Sequence, residues 1–222
     1  MQYAQALWDL DVGQQALYER LWSATMAMPA VGGSERLLFV LWLGLCHSVP
    51  VYGLNLFYTL FTRLAPKASE RWRFLPGKRS SPKLVFKAIA YVTAFHALAP
   101  FAAYAMYPAA VRHMGGEAAL FDPSGVPGLG KMLFQVVVCY LCTDCTFYWG
   151  HRALHVPALY KAIHKQHHEF TVSIGFAAQY AHPIELILGN VVPVLSGFVA
   201  FRMHFAVWCV WMFVALAGTT AA

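Results

Sequence analysis

Residues 132–168 read MLFQVVVCYLCTDCTFYWGHRALHVPALYKAIHKQHH. The first half, 132–149, is an apolar run interrupted by one acid, Asp144. The second half carries His151, His155, His164, His167 and His168, five of the chain's ten histidines. A hydrophobic stretch of about 18 residues or more is long enough to cross a bilayer as a helix. The run therefore predicts a span that delivers its last turns, and a histidine cluster, to the membrane surface.

The spacing within the cluster is HxxxH followed by HxxHH. Positions i, i+3 and i+4 share a face of a helix. His151 can thus pair with His155, and His164 with His167 and His168. Neutral imidazole is a common ligand for iron, zinc and copper, so all five are candidate metal ligands. The helical pattern continues to Tyr160 and resumes from Lys161 to about Phe170. Pro157 lies between the two groups and suits the first turn of a new helix, so two short helices can aim their histidines at one centre. Asp144, Tyr148, His151 and His155 step by four, three and four along one face. An acid inside a span normally needs a partner, and a carboxylate can orient a ligating imidazole. Asp144 is read in that role, against the alternative of a hydrogen bond to a neighbouring helix. Glu169 either supports the metal site or pairs with Lys165. His182 is either a further ligand or a polar cap on the next helix. Tyr148, Phe176 and Tyr180 are candidates to line a substrate cavity. Residues 171–181 are expected to run extended.

Outward from this stretch the chain stays apolar. It is 59% hydrophobic and only 12% charged, about half the charge of an ordinary soluble domain. Further apolar runs occupy 37–61, with Pro50 near the middle, and 87–108. A last pair, 183–201 and 203–217, is broken by Arg202. The fold class is therefore all-α and membrane-embedded, with about four to five transmembrane or hairpin helices and a histidine-rich helical cap. Residues 63–83 hold Arg63, Lys67, Arg71, Arg73, Lys78, Arg79 and Lys83, whereas the only basic residue before Gly128 in 109–128 is Arg112. The positive-inside rule then places 63–83, and with it the histidine cluster, in the cytosol. The +6 formal charge reflects that asymmetry and contact with anionic lipid; no aromatic-interleaved basic groove points to nucleic acid. The N-terminal residues lack a signal-peptide pattern and predict a short amphipathic surface helix with Leu7, Leu10, Ala16, Leu17 and Leu21 on a rough stripe, against the alternative of a plain N-terminal extension. Cys46, Cys139, Cys142, Cys145 and Cys209 all lie in apolar runs and are read as small residues on buried helix faces, not as a disulfide framework. There is no HExxH, P-loop or GxSxG motif.

D-x-x-x-Y-W-x-H-R-x-x-H at 144–155, H-K-x-H-H-E-F at 164–170 and Y-A-H-P-x-E at 180–185 together resemble the fatty acid hydroxylase/sterol desaturase superfamily, and within it the C4-methylsterol monooxygenases. The resemblance covers most of the chain and implies one membrane-embedded domain over 1–222, with its histidine-box region at 144–189. It implies a non-haem diiron enzyme of the endoplasmic reticulum membrane, with two iron ions as cofactor and O₂ as co-substrate. Cytochrome b5 and an NAD(P)H-dependent reductase would supply electrons for stepwise oxidation of a C4 methyl group on a sterol. By position His151 and His155 match the first box and His164, His167 and His168 the second. The family has a third box beyond the last apolar pair; no histidine follows His204 here, so the domain is expected to be incomplete at its C-terminus. A sister C5-sterol desaturase or lipid hydroxylase, and a non-catalytic membrane fragment that binds metal weakly, are the alternatives.

Overall fold

The structure is a computed structural model describing residues 2–73 and 75–221, with side chains described from residue 9 onward. Helix α1 spans Gln2–Met26, α2 Glu35–Leu64, α3 Pro66–Arg71, α4 Pro82–Met114, α5 Glu117–Phe121, α6 Leu129–Leu154 and α7 Pro157–Ala162. Tight 3₁₀ turns follow at His164–Glu169 and Gly175–Gln179. Then come α8 (Pro183–Glu185), a π-helical stretch Leu186–Val191, α9 (Val192–Phe201) and α10 (Phe205–Ala221). No strand occurs among the described residues.

Four segments are long and apolar enough to cross a membrane: Glu35–Leu64, Pro82–Met114, Leu129–Leu154 and Pro183–Phe201. They coincide with four of the five apolar runs. The fifth run forms α10, whose 17 residues extend about 25 Å at 1.5 Å per residue. Its contacts make it the return arm of a hairpin. Phe205 at its start stacks on Phe39 near the start of α2 (5.3 Å between centroids), while Thr220 at its end faces Gly175 beside Asn55. The long helices thus alternate in direction between two layers. One layer holds the histidines, the basic 65–81 connection and both 3₁₀ turns, tied by Ser80 Oγ donating to the Val172 carbonyl (3.0 Å). The other holds α1, α5 and residues 202–204, where the ring of Tyr18 meets His204 (5.4 Å) and Tyr107 stacks on Phe121 (6.2 Å).

The main apolar core lies toward this second layer. Phe39, Phe121, Phe205, Trp208 and Trp211 are almost fully buried there, and Trp211 Nε1 donates to the Val194 carbonyl (3.0 Å). Helices α6 and α9 touch where Gly197 meets Cys139. A Cβ on Gly197 would stand 2.7 Å from Cys139 Sγ and 2.8 Å from its Cα. Cys139 is buried and serves as a small packing residue, as its sequence context suggests, whereas Cys145 is exposed and does not lie on a buried face. A backbone atom cannot yield as a flexible side chain can. Gly197→Val is therefore expected to destabilise the protein by about 1–3 kcal/mol through overpacking, read as a lower melting temperature in detergent; an unchanged melting temperature would contradict the close crossing.

Two expectations need correction. Helix α1 runs for 25 residues and is not short; Leu10, Leu17 and Leu21 of its stripe are exposed, as at a surface. Docking runs instead through polar and aromatic groups one flank away. Asp11 Oδ1 accepts from the Leu129 N–H at the start of α6 (2.6 Å), Gln14 donates to the Pro127 carbonyl (2.9 Å) and Tyr18 to the Phe121 carbonyl (3.2 Å). The side chain of Leu7 lies outside the described residues. Residues 171–181 are not uniformly extended. Gly175–Gln179 forms a 3₁₀ turn held from within the bundle by Gln179 Oε1, 2.8 Å from His96 Nε2. Gly175 fits there because a Cβ would meet the Asn55 amide at 2.7–2.8 Å.

Candidate metal centre

The end of α6 brings His151 and His155 to the histidine layer. The helix stops there because Pro157 opens α7 with Val156 extended (φ −61°, ψ 133°). After α7 the chain tightens into the 3₁₀ turn that carries His164, His167 and His168. Chain reversal between α6 and this turn closes the two pairs onto each other. His155 Nε2 lies 3.2 Å from His151 Nε2 and 3.2 Å from His164 Nε2, and His164 Nε2 lies 3.0 Å from His168 Nε2. The ligand atoms of His151, His155, His164 and His168 all fall within 4.8 Å of one another.

Four ring nitrogens cannot satisfy one another at this range, because each neutral imidazole has one proton and one lone pair. A cation at their centre resolves the conflict. With bonds of about 2.0–2.1 Å to imidazole nitrogen, a tetrahedral site has edges of about 3.4 Å, close to the three contacts of 3.0–3.2 Å and inside the 4.8 Å that bounds the rest. The tautomer of His164 is set from behind: its Nδ1 lies 2.7 Å from Glu185 Oε1, with both side chains almost wholly buried. Nδ1–H donates to the carboxylate, so Nε2 turns its lone pair to the centre. Burial, followed by the neighbouring His151 and His168 imidazoles, holds the His164 pKa down to about 4. Burial, then His168, also lowers His167. These rings are neutral at physiological pH, the state that binds metal. A His depressed below its unfolded value of about 6.5 stabilises the fold above that pH. That contribution is expected to fade as pH falls from about 6.5 toward about 4, so acid titration of the metal-free protein should lower its melting temperature in this window, and less so in His164→Gln.

His167 stands one step away. Its ring is parallel to that of His164 (5.6 Å, 18°), as the tight turn eclipses positions i and i+3. It lines a cavity of about 180 Å³ together with His151, Glu185, Phe147, Ala178 and Gly189. Two buried polar atoms there have no partner, His167 Nδ1 and Glu185 Oε2. Buried polar groups are normally satisfied, so this cavity holds unused donor atoms immediately beside the four-histidine cluster. The π-helical stretch Leu186–Val191 forms one wall, a distortion that recurs at functional sites.

The other candidates fall elsewhere. Asp144 is exposed and has no hydrogen bond to a histidine among the described residues; the carboxylate bonded to a cluster histidine is that of Glu185. His182 caps α8, its Nδ1 accepting from the Ile184 N–H (3.3 Å). Glu169 pairs with Lys87 (3.3 Å), not Lys165, and accepts from the Tyr180 hydroxyl (2.9 Å). Tyr180 is buried under this pair, Phe176 packs against Tyr52 and the exposed Tyr148 accepts from Arg152 (2.9 Å). Sequence reasoning missed Glu185 as a site residue, although it closes the Y-A-H-P-x-E motif.

Fold and site together define a helical membrane protein with a cluster of four histidines, spaced as a metal ion would need them, at the end of a span. Residues 136–221 match the fatty acid hydroxylase family model, a stretch that holds most of α6, the whole histidine cluster, α9 and α10. It is similar to fatty acid hydroxylase ahd1 of Mycosarcoma maydis, with 48% identity over 37% of this chain and 21% of that protein. It is also similar to the C-4 methylsterol oxidase of Candida albicans, 37% identical over 40% of this chain and 30% of the relative. Methylsterol monooxygenase 2-1 of Arabidopsis thaliana is 35% identical over 50% of this chain and 39% of its own length. The chain spans between about a fifth and a half of the curated relatives it matches. No solved structure matches it.

Proposed function

We propose that this chain forms the metal-binding part of a membrane non-haem diiron oxygenase that acts on a sterol or related lipid, with oxidation of a C4 methyl group as the reaction. The observation that carries the proposal is the convergence of His151, His155, His164 and His168 on one point, with Glu185 hydrogen-bonded behind His164. These residues fit one iron. His167 and Glu185, with their unpartnered atoms beside His151, are the donors at hand for a second. Iron bound there supplies activation of dioxygen for attack on an unactivated C–H bond. The protein's own groups do the rest. Glu185 fixes the tautomer of His164, burial keeps His164 and His167 neutral, and the apolar walls Phe147 and Leu154 keep the cavity dry.

The relatives named for methylsterol oxidation support a sterol substrate, and the exposed apolar faces of the spans suit a substrate that arrives through lipid. The basic 65–81 connection on the histidine side supports a cytosolic site in the endoplasmic reticulum membrane. Cytochrome b5 and its NAD(P)H-dependent reductase are the proposed electron donors, docking on that side. The test is iron analysis of the purified chain, paired with complementation of a yeast strain that lacks C4-demethylation. About two irons per chain and restored growth are expected. Absence of bound iron would overturn the metal centre. Iron without C4-oxidised products, but with a C5-desaturated sterol or a hydroxylated lipid, would move the substrate assignment to those relatives.

A further inference from the structure

The layer opposite the histidines contains a cavity of about 330 Å³, lined by Asp122, Lys131, Gln135, Arg202 and His204 among others. Most of its polar groups are already committed. The Asp122 carboxylate accepts from the Ser124 N–H (2.9 Å) and hydroxyl (2.7 Å). His204 uses both ring nitrogens, Nε2 toward the Asp122 carbonyl (3.2 Å) and Nδ1 accepting from the Ala206 N–H (3.1 Å). Three groups are left over. Lys131 and Arg202 have no ion pair, hydrogen bond or ring partner among the described residues. Gln135 Oε1 is buried and also has no partner.

The unmet groups specify a ligand with an anionic end and a hydrogen-bond donor. Their position specifies its source. Lys131 is in the first turn of the α6 span and Arg202 is in the turn between α9 and α10, which is the depth of lipid phosphates if these helices cross the bilayer. Leu133 and Phe134 follow Lys131, and Phe201 precedes Arg202, all three exposed, so acyl chains have apolar surface directly beneath the mouth. Arg202 is also the one described non-glycine residue with a left-handed backbone (φ 46°), a conformation glycine takes more readily.

We propose that this cavity seats the headgroup of a membrane phospholipid, its phosphate against Lys131 and Arg202 and a hydroxyl or ammonium donor on Gln135 Oε1. Arg–phosphate and Lys–phosphate contacts are charge-assisted, and the Arg fork can take two phosphate oxygens at once. The test is phospholipid retained by the whole chain after purification in mild detergent, read by native mass spectrometry and phosphorus content. Wild type is expected to keep about one phospholipid per chain. Lys131→Gln with Arg202→Gly is expected to weaken retention about tenfold or more. Arg202→Gly alone should weaken it while leaving the melting temperature unchanged or higher, since glycine suits that backbone; this variant keeps the test valid if the double variant folds poorly. Equal retention in wild type and Arg202→Gly, or no retained phospholipid, would overturn the proposal. Displacement by glycerol phosphate as effective as by short-chain phosphatidylglycerol would make the ligand a soluble phosphate ester and overturn the lipid assignment.

Discussion

Substituting His164 with alanine is expected to remove most of the bound metal, to under about a tenth of the wild-type content, while the spans still insert. His164 has the central position in the cluster: its Nε2 is within 3.2 Å of His155 and 3.0 Å of His168. It is also the one cluster member that is fully buried. Its loss deletes a ligand and strips the Glu185 carboxylate of the bond it has. A second Glu185 oxygen is already without a partner, so the variant leaves a wholly unpaired buried carboxylate. Losing a hydrogen bond to a charged group of this kind costs about 1.5–3 kcal/mol, and the metal-free variant should melt lower than metal-free wild type. His168→Ala provides the contrast. His168 is exposed, and its loss should reduce metal content with little change in metal-free stability. Metal analysis by plasma mass spectrometry, with carbonate extraction of membranes as the insertion control, reads both effects. Wild-type metal content in His164→Ala would end the ligand assignment.

The spans were legible because composition alone decides them: in lipid a backbone must satisfy its own hydrogen bonds, so a long apolar run has few options but a helix. The histidine pairs were legible because i, i+3 and i+4 spacing survives small changes in helix type. His164 and His168 meet even though their turn is 3₁₀. What was not legible depends on chain reversal. Glu185 reaches His164 across 21 residues, through a turn at 175–179 whose path is set by Gln179 reaching His96 and by the missing Cβ of Gly175. No local period encodes that. Periodicity also favoured Asp144 too readily. It shares a face with His151, but seven residues along a helix is about 10 Å, beyond the reach of an aspartate side chain. The rule that an acid in a span needs a partner applied to Glu185.

The exchange of Asp144 for Glu185 yields the second large effect. Glu185→Ala is expected to weaken metal binding about 10–100-fold, the usual cost of losing a carboxylate that orients a ligating imidazole, whereas Asp144→Asn should leave it unchanged. The reasoning runs through one proton. With Glu185 in place, Nδ1 of His164 carries the hydrogen and Nε2 is free to ligate. Without it, nothing among the described residues fixes that tautomer, and the ring is free to place its proton on Nε2, facing the other imidazoles. Glu185→Gln separates orientation from charge. Its amide oxygen can still accept from Nδ1–H, so orientation survives, but the negative charge that strengthens the ligand and offsets the cation is gone. Its metal affinity should fall between wild type and Glu185→Ala. Titrating metal-free protein with iron under anaerobic conditions measures all four chains. Equal affinities for Glu185→Ala and wild type, or a loss in Asp144→Asn as large as in Glu185→Ala, would return the carboxylate role to the span and leave the buried bond to His164 as packing alone.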